Sequence, residues 1–159
     1  MKMGDYKAKE PRFEEAFYAE ITVAPPVVVG QDTAHGRRQL IEITGGRFSG
    51  KISGVALPGG VDSQIIRPNG LTELEARYGV KLDDGESIFI FNKGIRRVAP
   101  ECAAAAARGE IVDPDKVYFT TVPTFEVYSD KYRWLEQAIF ICRATRLPDK
   151  VLLKFYEVV

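Results

Sequence analysis

Asp62 and Gln64 stand two residues apart in the run L-P-G-G-V-D-S-Q-I-I-R-P-N-G, Leu57 to Gly70. In an extended chain that spacing puts both side chains on one face. A carboxylate and an amide on one face can hold a polar ligand, and a buried carboxylate can exchange protons near neutral pH. Glu126 is a second carboxylate able to act as general acid or base, with Arg77 or Arg96 as its electrostatic partner. Tyr78, Asn92, Thr121 and Trp134 supply further groups that could fix a ligand. The opposing reading places Asp62 and Gln64 in water, where most strand Asp and Gln lie.

Other reactive residues give less. His35 sits in His35-Gly36-Arg37-Arg38, and its ordinary pKa suits acid–base work, but such a residue also reads as a solvated loop side chain. Arg37 and Arg38 could clamp an anion, although neighbours in a strand point to opposite faces. Gly45-Gly46 and Gly50 suggest a phosphate cradle, yet Gly50-Lys51-Ile52 lacks the Ser/Thr and the helix that a P-loop needs. No G-x-S-x-G nucleophile motif is present. A single histidine and two cysteines, Cys102 and Cys142, do not make a usual zinc set, so neither metal nor cofactor is expected. The thiols read as free groups of a reducing compartment, which makes the cytoplasm the default.

The elements that must carry these residues are strands. Phe13 to Val23 alternates, with Phe17, Ala19, Ile21 and Val23 on one face and Tyr18, Glu20 and Thr22 on the other. Pro25-Pro26 ends it. Gln39–Thr44, Lys51–Leu57, Val61–Arg67, Leu71–Leu82 and Ser87–Asn92 follow, divided by Pro-Gly-Gly, Pro-Asn-Gly and Asp-Asp-Gly turns. In Leu71–Leu82 the charged set, Arg77 included, opposes Leu74, Ala76, Tyr78, Val80 and Leu82. Ile88 and Ile90 against Phe89 and Phe91 make a strand apolar on both faces, which suggests a homo-oligomer interface. Pro100 to Gly109, with its alanine run, reads as a short helix that could be a lid or a surface connection. Ser129-Asp130 caps a helical turn around Trp134, whose structural role would be to close one end of a core. Val117–Val127, Ala138–Thr145 and Val151–Val158 complete the set.

Roughly eight to ten strands at 8–12-residue spacing, without βαβ alternation, predict an all-β, mainly antiparallel protein. The glycines favour a closed or nearly closed β-barrel over a sandwich. Of 159 residues, 45% are hydrophobic and 28% charged, and 22 basic residues balance 22 acidic ones. That balance argues against nucleic acid or an anionic membrane as partner. No run approaches the ~18 apolar residues of a membrane helix. Residues 1–10 read as a flexible segment and 11–159 as one domain.

The combination I-T-G-G-R-F-S-G (Ile43 to Gly50), L-P-G-G-V-D-S-Q (Leu57 to Gln64), Y-F-T-T-V-P-T-F-E (Tyr118 to Glu126) and Y-R-W-L (Tyr132 to Leu135) resembles the family called domain of unknown function three-two-three-seven. The resemblance covers nearly the whole chain. Ser63 stands where a tryptophan is common, and Val127 where a threonine often follows the glutamate. It implies a single-domain, lipocalin-like barrel with no established activity, so no catalytic residue is carried over. The recurring polar positions are matched by Asp62, Gln64, Arg77, Asn92, Arg96, Thr121 and Glu126. Two functions follow as expectations: a barrel that binds a small apolar or aromatic molecule, or a cavity enzyme of isomerase, cyclase or lyase type.

Overall fold

The structure is a computed structural model describing all 159 residues. Its ten strands are β1 (Phe13–Val23), β2 (Val27–Thr33), β3 (Gly36–Gly50), β4 (Gly54–Ala56), β5 (Gly60–Ile66), β6 (Thr72–Leu82), β7 (Ser87–Val98), β8 (Val117–Val127), β9 (Phe140–Arg146) and β10 (Lys150–Val158). Every pairing is antiparallel. From β1 the sheet runs through β10, β9, β8, β7 and β6 to β4 and β5, then to β3, which pairs back onto β1. β4 and β5 share one position between β3 and β6, so the closed ring is an eight-stranded antiparallel barrel. β2 extends past the ring, pairs only with the start of β3, and is exposed along its length.

Closure demands sharp curvature, and glycine provides it where backbones meet. Gly46 has a φ of +142°, and a Cβ there would lie 2.3 Å from the Glu20 carbonyl oxygen of β1. A side chain would therefore hold β1 and β3 apart at their crossing. The expected strand at Lys51–Leu57 is shorter than predicted: Lys51 to Ser53 turn instead, and Ile52 is buried without being in a strand. The alanine-rich helix is also shorter, a 3-10 turn at Pro100–Cys102 leading into α1 (Ala103–Ala107).

The two ends of the barrel differ in chemistry. One is packed by Phe17, Phe48, Phe125, Phe140 and Phe155, with Phe17 stacked on Phe155 at 4.5 Å between centroids. A 3-10 segment, Asp130–Glu136, closes that end by burying Tyr132 and Leu135, while Trp134 packs on Phe140. It is fastened by Asp84 of the β6–β7 turn, which accepts hydrogen bonds from the Tyr132 hydroxyl and Lys131 Nζ. The other end carries the β5–β6 and β9–β10 turns, the β1–β2 bend and the long β7–β8 connection. No residue of α1 in that connection is buried.

Ile88 and Ile90 belong to the core, with 1% and 0% exposure. They are therefore not available to the oligomer face proposed from the sequence. Only Phe89 and Phe91 point outward, and the Arg77 guanidinium lies 4.2 Å from the Phe91 ring centroid.

Candidate functional site

Alternation decides which polar side chains enter the barrel. On β5, Asp62 and Gln64 point inward; across the ladder Asp62 opposes Ala76 and Gln64 opposes Leu74, both inward residues of β6. On β7, Asn92 follows Ile88 and Ile90 in phase, and Arg96 continues that phase toward the open end. Thr121 on β8 pairs with Cys142 on β9. Of these, Asp62, Asn92 and Thr121 line a cavity of about 40 Å³ together with Tyr78 and the apolar Ile21, Leu74, Phe119, Val151 and Leu153.

The polar groups here are deeply buried and incompletely paired. Asn92, Thr121 and Tyr78 are 3%, 1% and 3% exposed, yet Asn92 Oδ1, Thr121 Oγ1 and the Tyr78 hydroxyl have no hydrogen-bond partner. Asp62 Oδ1 is buried and unpartnered as well. Its other oxygen accepts from Gln64 Nε2 at 2.8 Å, and Gln64 Oε1 accepts from Gln39 Nε2 at 2.8 Å. This relay fixes the carboxyl orientation and leaves one oxygen free toward the cavity. An orphaned polar group in an apolar interior is costly, by roughly 1–3 kcal/mol.

Electrostatics follow from that burial. Desolvation raises the Asp62 pKa, and the Gln64 hydrogen bond, the Arg146 charge and the Glu75 backbone oppose it only in part. Burial drives the Tyr78 hydroxyl far above its ordinary range. It also pushes the Cys142 thiol up to about 12, with Thr121 and Asn92 beside it, so that thiol stays protonated and unreactive. Arg96 is lowered by burial and then by the charge of Arg146. Arg146 ends β9 in phase with Cys142 and Ala144, and it was not among the residues singled out from the sequence.

Three of the predicted site residues lie elsewhere. Arg77 is on the outer face, between Glu75 and Phe91. Glu126 is also exposed, where it accepts from the Tyr128 hydroxyl at 3.2 Å. Both sit one residue out of phase with an inward neighbour, Tyr78 or Phe125, so the pleat points them to solvent. Trp134 seals the closed end from outside. His35 lines a separate groove of about 550 Å³ with Arg38, Arg67 and Asn69. That groove is open and on the outer surface, its Arg67 is already paired with Glu73 at 2.6 Å, and none of the orphaned cavity groups reaches it.

Fold and cavity together define a closed antiparallel barrel with a blocked apolar end and a polar interior toward the open one. The chain belongs to the family described as protein of unknown function (DUF3237), whose model matches residues 11–158. A UPF0311 protein of Clostridium acetobutylicum is 54% identical over 151 residues, covering 94% of this chain and 96% of that one. A crystal structure of a protein with unknown function from the same species is 52% identical, with a TM-score of 0.89 over 96% of this chain and 100% of its own. A crystal structure described as a beta-barrel like protein, from Acinetobacter baumannii, is 34% identical, with a TM-score of 0.84 over 97% of this chain and 99% of its own.

Proposed function

We propose that the protein binds a small organic molecule in the barrel cavity. One observation carries this reading: four side chains, Asp62, Tyr78, Asn92 and Thr121, turn unpartnered polar atoms into an apolar space. Buried polar groups are nearly always paired, and a ligand offering hydroxyl or carbonyl oxygens would pair these. The cytoplasm suits this reading, since Cys102 and Cys142 are both free thiols. No helix is long and apolar enough to cross a membrane.

The test is an NMR titration with short alcohols, ketones and carboxylates. Saturable shifts at Ala76, Thr121 and Leu153 are expected, and Asn92→Leu should abolish them. Shifts confined to outer residues such as His35 and Asn69 would overturn the reading.

A second reading, proton transfer on the bound molecule, is favoured by Asp62 alone. Its raised pKa and free oxygen suit a general acid or base. Under that reading Asp62→Asn removes turnover and leaves binding intact; unchanged turnover in that variant excludes it.

A further inference from the structure

The arginines of this chain are paired where pairing matters least. Arg37, Arg47, Arg67, Arg77, Arg108 and Arg133 all have a carboxylate within 4 Å, and all are substantially exposed. Exposed pairs contribute little. Arg96 and Arg146 are the opposite case. Both are partly buried at the open end of the barrel, and neither has a carboxylate within ion-pairing distance. Arg96 Nε is buried with no hydrogen-bond partner. Arg146 reaches only the Pro148 carbonyl oxygen, at 3.5 Å. Arg96 pairs across the ladder with Phe119 and Arg146 with Val151, both lining residues of the cavity, so the two side chains flank it from β7 and β9.

Asp62 and Asp149 act on Arg146 only from beyond ion-pairing distance. Gln64 occupies one oxygen of Asp62, neither oxygen comes within 4 Å of Arg146, and desolvation favours the neutral form of that carboxyl. Two desolvated cations without a direct ion pair are expensive to maintain, and their planar donor faces match a planar oxyanion.

We propose that the molecule bound in this cavity is a short-chain carboxylate, its oxyanion held by Arg96 and Arg146 and its stem directed inward among Leu74, Phe119 and Leu153. This rests on the cavity reading above and names the class of its ligand. The 40 Å³ interior sets the size. At about 10–15 Å³ per water-sized group it takes roughly three or four non-hydrogen atoms beyond the head group. The unpaired Thr121 and Tyr78 hydroxyls favour a hydroxyl or oxo substituent on that stem. A carboxylate also meets both guanidinium planes bidentately, which accounts for two arginines where a neutral ligand would need none.

The experiment compares butyrate, 3-hydroxybutyrate, the neutral butyramide and inorganic phosphate. Binding is read by NMR shifts of the cavity residues, in the wild type and in Arg146→Gln, Arg146→Lys and Arg96→Gln. Butyrate and 3-hydroxybutyrate are expected to bind at least tenfold more tightly than butyramide, with 3-hydroxybutyrate ahead. Arg146→Gln should weaken both carboxylates tenfold or more. Arg146→Lys, which keeps the charge without the planar fork, should fall between. Should Arg96→Gln fail to fold, the two Arg146 variants carry the test. Butyramide binding as well as butyrate, or carboxylate affinity unmoved by the Arg146 variants, would overturn the assignment while leaving the cavity reading intact. Phosphate binding as tightly as butyrate would replace the carboxylate with a generic anion and overturn it too. Absence of cavity shifts with every probe would remove the cavity reading itself.

Discussion

Asp62 shows most directly how burial becomes chemistry at the residue scale. Its folded-state pKa lies above the unfolded value of about 3.9. The unfolded chain therefore loses this proton first as pH rises. Stability is greatest while the group is protonated in both states and falls as pH climbs from the unfolded toward the folded pKa. In Asp62→Asn that fall should vanish, leaving a flatter stability profile across mildly acidic pH in urea denaturation. A variant profile that superimposes on the wild type would mean that Asp62 reaches solvent after all. The placement of Asp62 and Gln64 on one face was legible from their spacing. Whether that face was inward was not, because strand phase gives two faces and only closure of the ring decides which is the inner one.

At the scale of elements, the segment Asp130–Glu136 and the β6–β7 turn work as a fastening. Asp83-Asp84-Gly85 reads in sequence as an ordinary hairpin turn, and its contact with Lys131 and Tyr132, nearly fifty residues away, has no local signature. Those bonds, with the Glu86 amide, depress the Asp84 pKa strongly. A depressed folded pKa stabilises above the unfolded value, and that contribution is lost as pH falls through the folded one. Asp84→Asn should therefore be less stable than the wild type at pH 7, with the gap closing as pH drops below about 4, read by thermal melts. A constant gap across that range would assign the loss to packing instead. The phases of β6 and β8 were equally available in the sequence. Tyr78 and Phe125 inward place Arg77 and Glu126 outward, and the candidate set named both because the family pattern repeats them. Arg146 had the reverse fate: its phase with Cys142 and Ala144 points inward, but an arginine beside a turn reads as a surface residue.

Across the whole molecule, the sequence specifies a barrel because short strands, turn residues and curvature glycines agree with one another. The polar part of the interior departs from that agreement. Unpaired hydroxyls and two arginines without a direct ion pair weaken an otherwise apolar core. One feature of the ring also bears on how the chain is threaded through it. Arg12 and Val159 exchange backbone hydrogen bonds, and β1 pairs with β10 from Phe13 and Val158 onward, so the first and last strands are neighbours. Position along the chain is thus almost arbitrary to the barrel. Joining Arg12 to Val159 through a short flexible linker and opening the chain within Ala103–Ala107, where nothing is buried, would give a circular permutant with new ends beside the open mouth. It should fold to the same strand order, checked by its amide NMR spectrum. A reporter fused at those ends would then sit beside that mouth and sense any change there.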